Sequence, residues 1–109
     1  MIFGEIVDPA PYPEVHRRLE EFLRAQFRQV ESGLQGDSWF WVCDGGERVE
    51  IDTFHSMNHQ VKSVRTGPHV QRALALLATA FQVKLYVPPV LEPHEDGPAG
   101  PTPGRPRGD

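Results

Sequence analysis

The period of the apolar positions changes several times along this chain, and each change marks an element. Ile-Phe-Gly-Glu-Ile-Val at 2–7 predicts a first strand, closed by Asp8-Pro9-Ala10-Pro11. Pro13 then suits the opening turn of a helix, where its missing N–H costs nothing. Val15, Leu19, Phe22, Leu23 and Phe27 follow at helical spacing and form one apolar stripe. Glu14 with Arg18 and Glu20 with Arg24 are i,i+4 pairs in the favourable order on the remaining circumference.

The period then shortens to two. Val30, Ser32 and Leu34 alternate beside Gly33 and Gly36, which predicts a short or bent strand. Trp39-Phe40-Trp41-Val42-Cys43 is the strongest strand signal in the chain. Asp44-Gly45-Gly46-Glu47 supplies a hairpin turn, and Val49, Ile51 and Thr53 alternate with Glu50 and Asp52 on the returning strand. Residues 59–64 predict a further short strand. Thr66-Gly67-Pro68 opens a second helix, with Val70, Leu74, Leu77, Ala78 and Phe81 as its stripe. Val83, Leu85 and Val87 form a last strand before Pro88-Pro89.

From 89 to 109 no apolar period remains and Pro and Gly accumulate, so this stretch is expected to be a flexible tail behind a single domain at 1–88. The fold class is α+β: one antiparallel-rich sheet with both helices on one face. If only two central strands pair, the order is close to βαββαβ and a ferredoxin-like arrangement follows. That fold carries many unrelated functions and assigns none.

Composition narrows the function. With 109 residues the chain can bury one core without metal or disulfides. A net charge of −4 disfavours a broad nucleic-acid surface. The single Cys43, beside an apolar strand, reads as a buried inert thiol in a reducing compartment. The opening Met1-Ile2-Phe3-Gly4-Glu5 does not read as a secretion signal, and no apolar run reaches membrane length, so the expected location is cytoplasmic.

Trp39 and Trp41 should share one sheet face and Phe40 and Val42 the other. Two helices cover one face only. The tryptophans are therefore either covered by loops or tail, or form an exposed anchor patch of the kind enriched at protein interfaces. Residues 50–62 hold the densest polar chemistry: Glu50, Asp52, His55, Ser56, Met57, Asn58, His59, Gln60 and Lys62. His55 and His59 would hold a metal together only on a helix, whereas their neighbours read as a turn entering a strand. Asp52 followed by Gln60-Val61-Lys62 has the outline of a metal-dependent nuclease site, an acid and then a Gln-x-Lys pair on adjacent strands. Gly45-Gly46 is a turn and not a phosphate loop. No metal or cofactor is expected.

Trp39-Phe40-Trp41-Val42 and Val49-Glu50-Ile51-Asp52-Thr53-Phe54, with Ser56-Met57 after them, resemble segments of small cytosolic immunity proteins that accompany bacterial toxins. The resemblance covers residues 38–64 and transfers no individual functional residue. It implies a protein-binding domain that occludes a toxin's active site, one that is basic because it handles nucleotides or nucleic acid. The binding residues expected on this reading are Trp39, Trp41, Glu50, Asp52, His55, Met57 and His59. The alternatives are a small metal-dependent hydrolase using Glu50, Asp52, His59 and Lys62, and an oligomeric accessory protein. The hydrolase needs Asp52, His59 and Lys62 to converge in a cleft, whereas a binder needs a broad face.

Overall fold

The computed structural model describes residues 1–92, so the expected tail lies mostly outside the described residues. The chain runs β1 (Ile2–Ile6), α1 (Tyr12–Gln26), β2 (Gln29–Gln35), β3 (Asp37–Asp44), β4 (Glu47–Asp52), β5 (Gln60–Lys62), α2 (Pro68–Leu77) and β6 (Val83–Val90). The strands form one six-stranded sheet in the order β2-β3-β4-β5-β1-β6. Every neighbouring pair is antiparallel.

Four strands, not two, separate the helices. The order is therefore not βαββαβ, and the ferredoxin-like arrangement does not apply. The extra length comes mainly from β2, which pairs with β3 from Gln29↔Cys43 to Gln35↔Asp37. Gly36 closes this hairpin tightly, and the partner is the strongest strand in the chain. Backbone pairing along that partner outweighs the weak propensity of Gly33 and Ser32. The next turn is as expected: Gly45 and Gly46 both have positive φ, at 61° and 82°, which suits a two-residue hairpin.

The alternation of the strands sends Phe40, Val42, Val49, Ile51 and Val61 to one face. They form one core with Val15, Leu19 and Leu23 of α1 and Ala73 and Leu77 of α2. Both helices thus lie on that face. Phe22, Phe27 and Leu74 are half-buried at its margin. The second helix stops at Leu77, short of its apolar stripe. Phe81 still reaches the core from the following turn, where its N–H donates to Leu77 O at 2.8 Å.

At the far edge β6 continues through Pro88-Pro89 to Val90, beyond the expected domain boundary at 88. Proline is tolerated there because an edge strand has one side with no ladder to serve. Leu91 and Glu92 follow, and Glu92 Oε1 lies 2.8 Å from Lys62 Nζ. No helix among the described residues is long and apolar enough to cross a membrane.

Candidate functional site

The face of the sheet that neither helix covers carries Trp39, Trp41 and Cys43 from β3, Arg48, Glu50 and Asp52 from β4, and Gln60 and Lys62 from β5. Their register is direct: Trp39 sits opposite Asp52, Trp41 opposite Glu50, and Glu50 opposite Lys62. The two indoles touch, with ring centroids 5.0 Å apart. The Arg48 guanidinium lies 4.3 Å from the Trp41 ring centre and is held by Glu50 Oε2 at 3.1 Å. Arg48 belongs to the site although the sequence reading did not name it. The signal was present, since a two-residue turn at Gly45-Gly46 fixes which β4 residues flank Trp41.

Trp39 rests on the backbone of Gly33, its cross-strand partner. A Cβ at residue 33 would lie only 2.5 Å from Trp39 Cε2 and nearer still to Nε1, far inside van der Waals contact. The glycine that weakens β2 as a strand is thus the seat of the tryptophan. Gly33→Ala is expected to displace Trp39, lower stability by about 1–3 kcal/mol and shift tryptophan emission. Unchanged emission with unchanged stability would show that Trp39 does not depend on this seat.

Beyond Trp39 the face continues into the loop that leaves β4. Thr53 N–H donates to Ser38 O at 3.0 Å, which brings the loop beside the β2–β3 turn. Phe54 and Met57 there are 46% and 80% exposed. With Tyr12, Gly36 and Asp37 they border an open depression of about 440 Å³. Tyr12 Oη donates to Gly36 O and ties the start of α1 to this rim. His55 is exposed on the same loop.

The remaining expected residues are placed differently. Asp52 is on the open face but 1% exposed, and its Oδ1 receives Lys62 Nζ at 2.6 Å and Phe54 N–H at 3.2 Å. His59 is 1% exposed and bonds to Ser38, which is buried on the helix side next to Phe40. Asp52 and Lys62 therefore meet, but His59 is turned away from them. Lys62 is 2% exposed and is held between Asp52 and Glu92. Among the described residues no group of three or more His, Cys, Asp or Glu is arranged to hold a metal ion. Cys43, expected to be buried, is exposed, because alternation puts it on the open face with the tryptophans.

Under the open face lies a relay that periodicity gives no hint of. His16 Nδ1 and His59 Nε2 each lie 2.6 Å from Ser38 Oγ, and all three residues are buried. One hydroxyl proton cannot serve two acceptors, so one imidazole donates and the other accepts. Glu20 Oε1, 3.6 Å from His16 Nε2, favours a proton on that nitrogen. Ser38 then donates to His16 Nδ1, and His59 Nε2–H donates to Ser38. Burial, and then the proximity of His16, lower the His59 pKa from 6.5 to about 4. Burial also lowers that of His16, against the pull of Glu20. Glu20, His16 and Ser38 follow the acid–base–hydroxyl order of a hydrolase, but Ser38 is 0% exposed and no substrate reaches it.

Comparisons with protein-family models, with curated proteins and with solved structures found no match.

Proposed function

We propose that this chain is a protein-binding domain of the immunity type, which neutralises a toxin by laying its open sheet face over the toxin's active site. The observation that carries this reading is the continuity of the apolar surface. Two touching tryptophans on the sheet face that neither helix covers run directly into a loop that exposes Phe54 and Met57. Half-buried aromatic anchors beside exposed apolar side chains are the composition of an interface centre. Trp39, Trp41, Glu50, His55 and Met57 would make contact, joined by Arg48 and Phe54, while Asp52 would act from beneath by holding Lys62. The excess of 15 acidic over 11 basic side chains suits a basic partner.

The test uses the polypeptide encoded beside this gene, expressed in a bacterium with and without this chain. Growth arrest by that polypeptide should be relieved by the wild-type chain. Met57→Glu, at an exposed position that folding does not use, and Trp41→Ala should each weaken binding by about tenfold or more, mainly through faster dissociation. A melting curve for each variant separates lost contact from lost fold. Relief of arrest that survives both changes in folded protein would move the interface elsewhere.

A further inference from the structure

We infer that the depression between the β2–β3 turn and the loop leaving β4 receives an arginine side chain of the partner, which rests on the protein-binding reading above and names what that face recognises. The acids of the open face single out one place. Glu50 is held by Arg48, Asp52 and Glu92 by Lys62, and Glu5 by Asn58 and Tyr86. Asp37, at the start of β3, is exposed, and its carboxylate has no hydrogen bond or ion pair among the described residues. Alternation from Trp39 sets it on the open face.

The groups around Asp37 suit a cation carried on an apolar stem. With Tyr12, Gly36, Phe54 and Met57 it borders the depression of about 440 Å³, and none of the residues lining that depression is Lys, Arg or His. Tyr12 Oη donates its proton to Gly36 O, so the phenol oxygen is left with only lone pairs to offer. Oxygen acceptors thus stand beside a carboxylate, while the exposed Phe54 and Met57 supply an apolar wall. An anion here would meet Asp37 with no cation to hold it.

The same face holds a filled example of this recognition. Arg48 lies 4.3 Å from the Trp41 ring centre while Glu50 Oε2 holds it at 3.1 Å. Asp37 and Phe54 offer the same two groups, a carboxylate and an aromatic ring. Lys62 approaches the Phe54 ring at 5.8 Å but is committed to Asp52 and Glu92, which leaves Asp37 to an outside cation. Two carboxylates against one ammonium also leave that neighbourhood negative. Arginine fits better than lysine, because a planar guanidinium lies flat on a ring while its edge pairs with a carboxylate.

An NMR titration of the isotope-labelled full chain with the peptide acetyl-Gly-Arg-Gly-amide tests this without the toxin. The amides of Asp37, Phe54 and Met57 should shift together and saturate as one site. A peptide with citrulline for arginine, similar in shape but uncharged, should bind about tenfold more weakly or worse. Asp37→Asn and Phe54→Leu should each weaken the arginine peptide. Glu31→Gln removes an exposed acid opposite Trp41, whose ring already faces Arg48, and should change nothing. The proposal is overturned by no saturable shift at these three residues, by equal binding of the two peptides, by full binding in Phe54→Leu, or by equal loss in Asp37→Asn and Glu31→Gln. Against the polypeptide encoded beside the gene, Asp37→Asn should weaken binding by about tenfold, and undiminished binding overturns the proposal too. A polypeptide that does not bind the wild-type chain overturns the immunity reading alone, since the peptide titration still decides this one.

Discussion

Replacing Lys62 by Met is expected to destabilise the fold by about 3–5 kcal/mol, the cost of leaving a buried charge without its partner. The Lys62 side chain is 3% exposed and lies between Asp52 Oδ1 at 2.6 Å and Glu92 Oε1 at 2.8 Å. The Phe54 ring centre is 5.8 Å from the ammonium. Burial alone would pull the Lys62 pKa down, but the two carboxylates more than offset it and hold it above the ordinary lysine value. A raised folded pKa means that the stability from this group is complete below 10.5 and is lost only as pH rises through the folded value.

Removing Lys62 leaves Asp52, 2% exposed at its side chain, as an unpaired buried carboxylate. Glu92, with 13% of its side chain exposed, has a shorter way to water. The double variant Asp52→Asn, Lys62→Met should therefore recover most of the loss, since Asn keeps the acceptor for Phe54 N–H without the charge. Urea unfolding of the two variants decides the matter. A single variant within about 1 kcal/mol of wild type would mean that the triad contributes no more than a surface ion pair.

The second large effect is acid sensitivity. His59 titrates at about 4 in the folded chain against 6.5 unfolded. Between those values the unfolded chain holds a proton that the folded chain refuses, so stability rises with pH across that window. The contribution is complete above 6.5 and is lost as pH falls to about 4. The full span is worth roughly 3 kcal/mol. His16, lowered in the same direction, adds to it.

Protonation of His59 falls on Nδ1, away from Ser38, and is opposed by burial of the charge, whereas protonation of His16 at Nδ1 would remove the acceptor that Ser38 uses. His59→Gln keeps a polar atom near Ser38 Oγ but does not titrate. The stability lost between pH 7 and pH 4 should shrink by roughly 3 kcal/mol in this variant. An unchanged pH dependence would assign the acid sensitivity to the carboxylates instead.

Much of this fold is legible in short stretches of sequence, because short-range rules govern them. The stripe through Val15, Leu19 and Leu23, the turn at Gly45-Gly46, and the alternation that separates Trp39 and Trp41 from Phe40 and Val42 each need only neighbours a few residues away. The aromatic face follows from that alternation once the helices are known to share a side. What could not be read this way depends on partners brought from a distance. His16 meets Ser38 across 22 positions and His59 meets it across 21, and nothing in the spacing of polar residues announces either contact. The sequence places Asp52 and Lys62 on adjacent strands, but their burial as a pair follows only once β4 and β5 meet and Glu92 arrives behind them.

The strand count was decided the same way. β2 has poor propensity and exists because β3 offers it a ladder, and β6 passes through two prolines because it lies at an edge. The sequence by itself determined the helices, the hairpin turn and the two-sided character of the central strands, since backbone sterics and side-chain period act locally. Only the tertiary structure decided which polar groups are buried, which edge is free and which charges are paired, because burial and pairing belong to surfaces that exist only after distant segments have met.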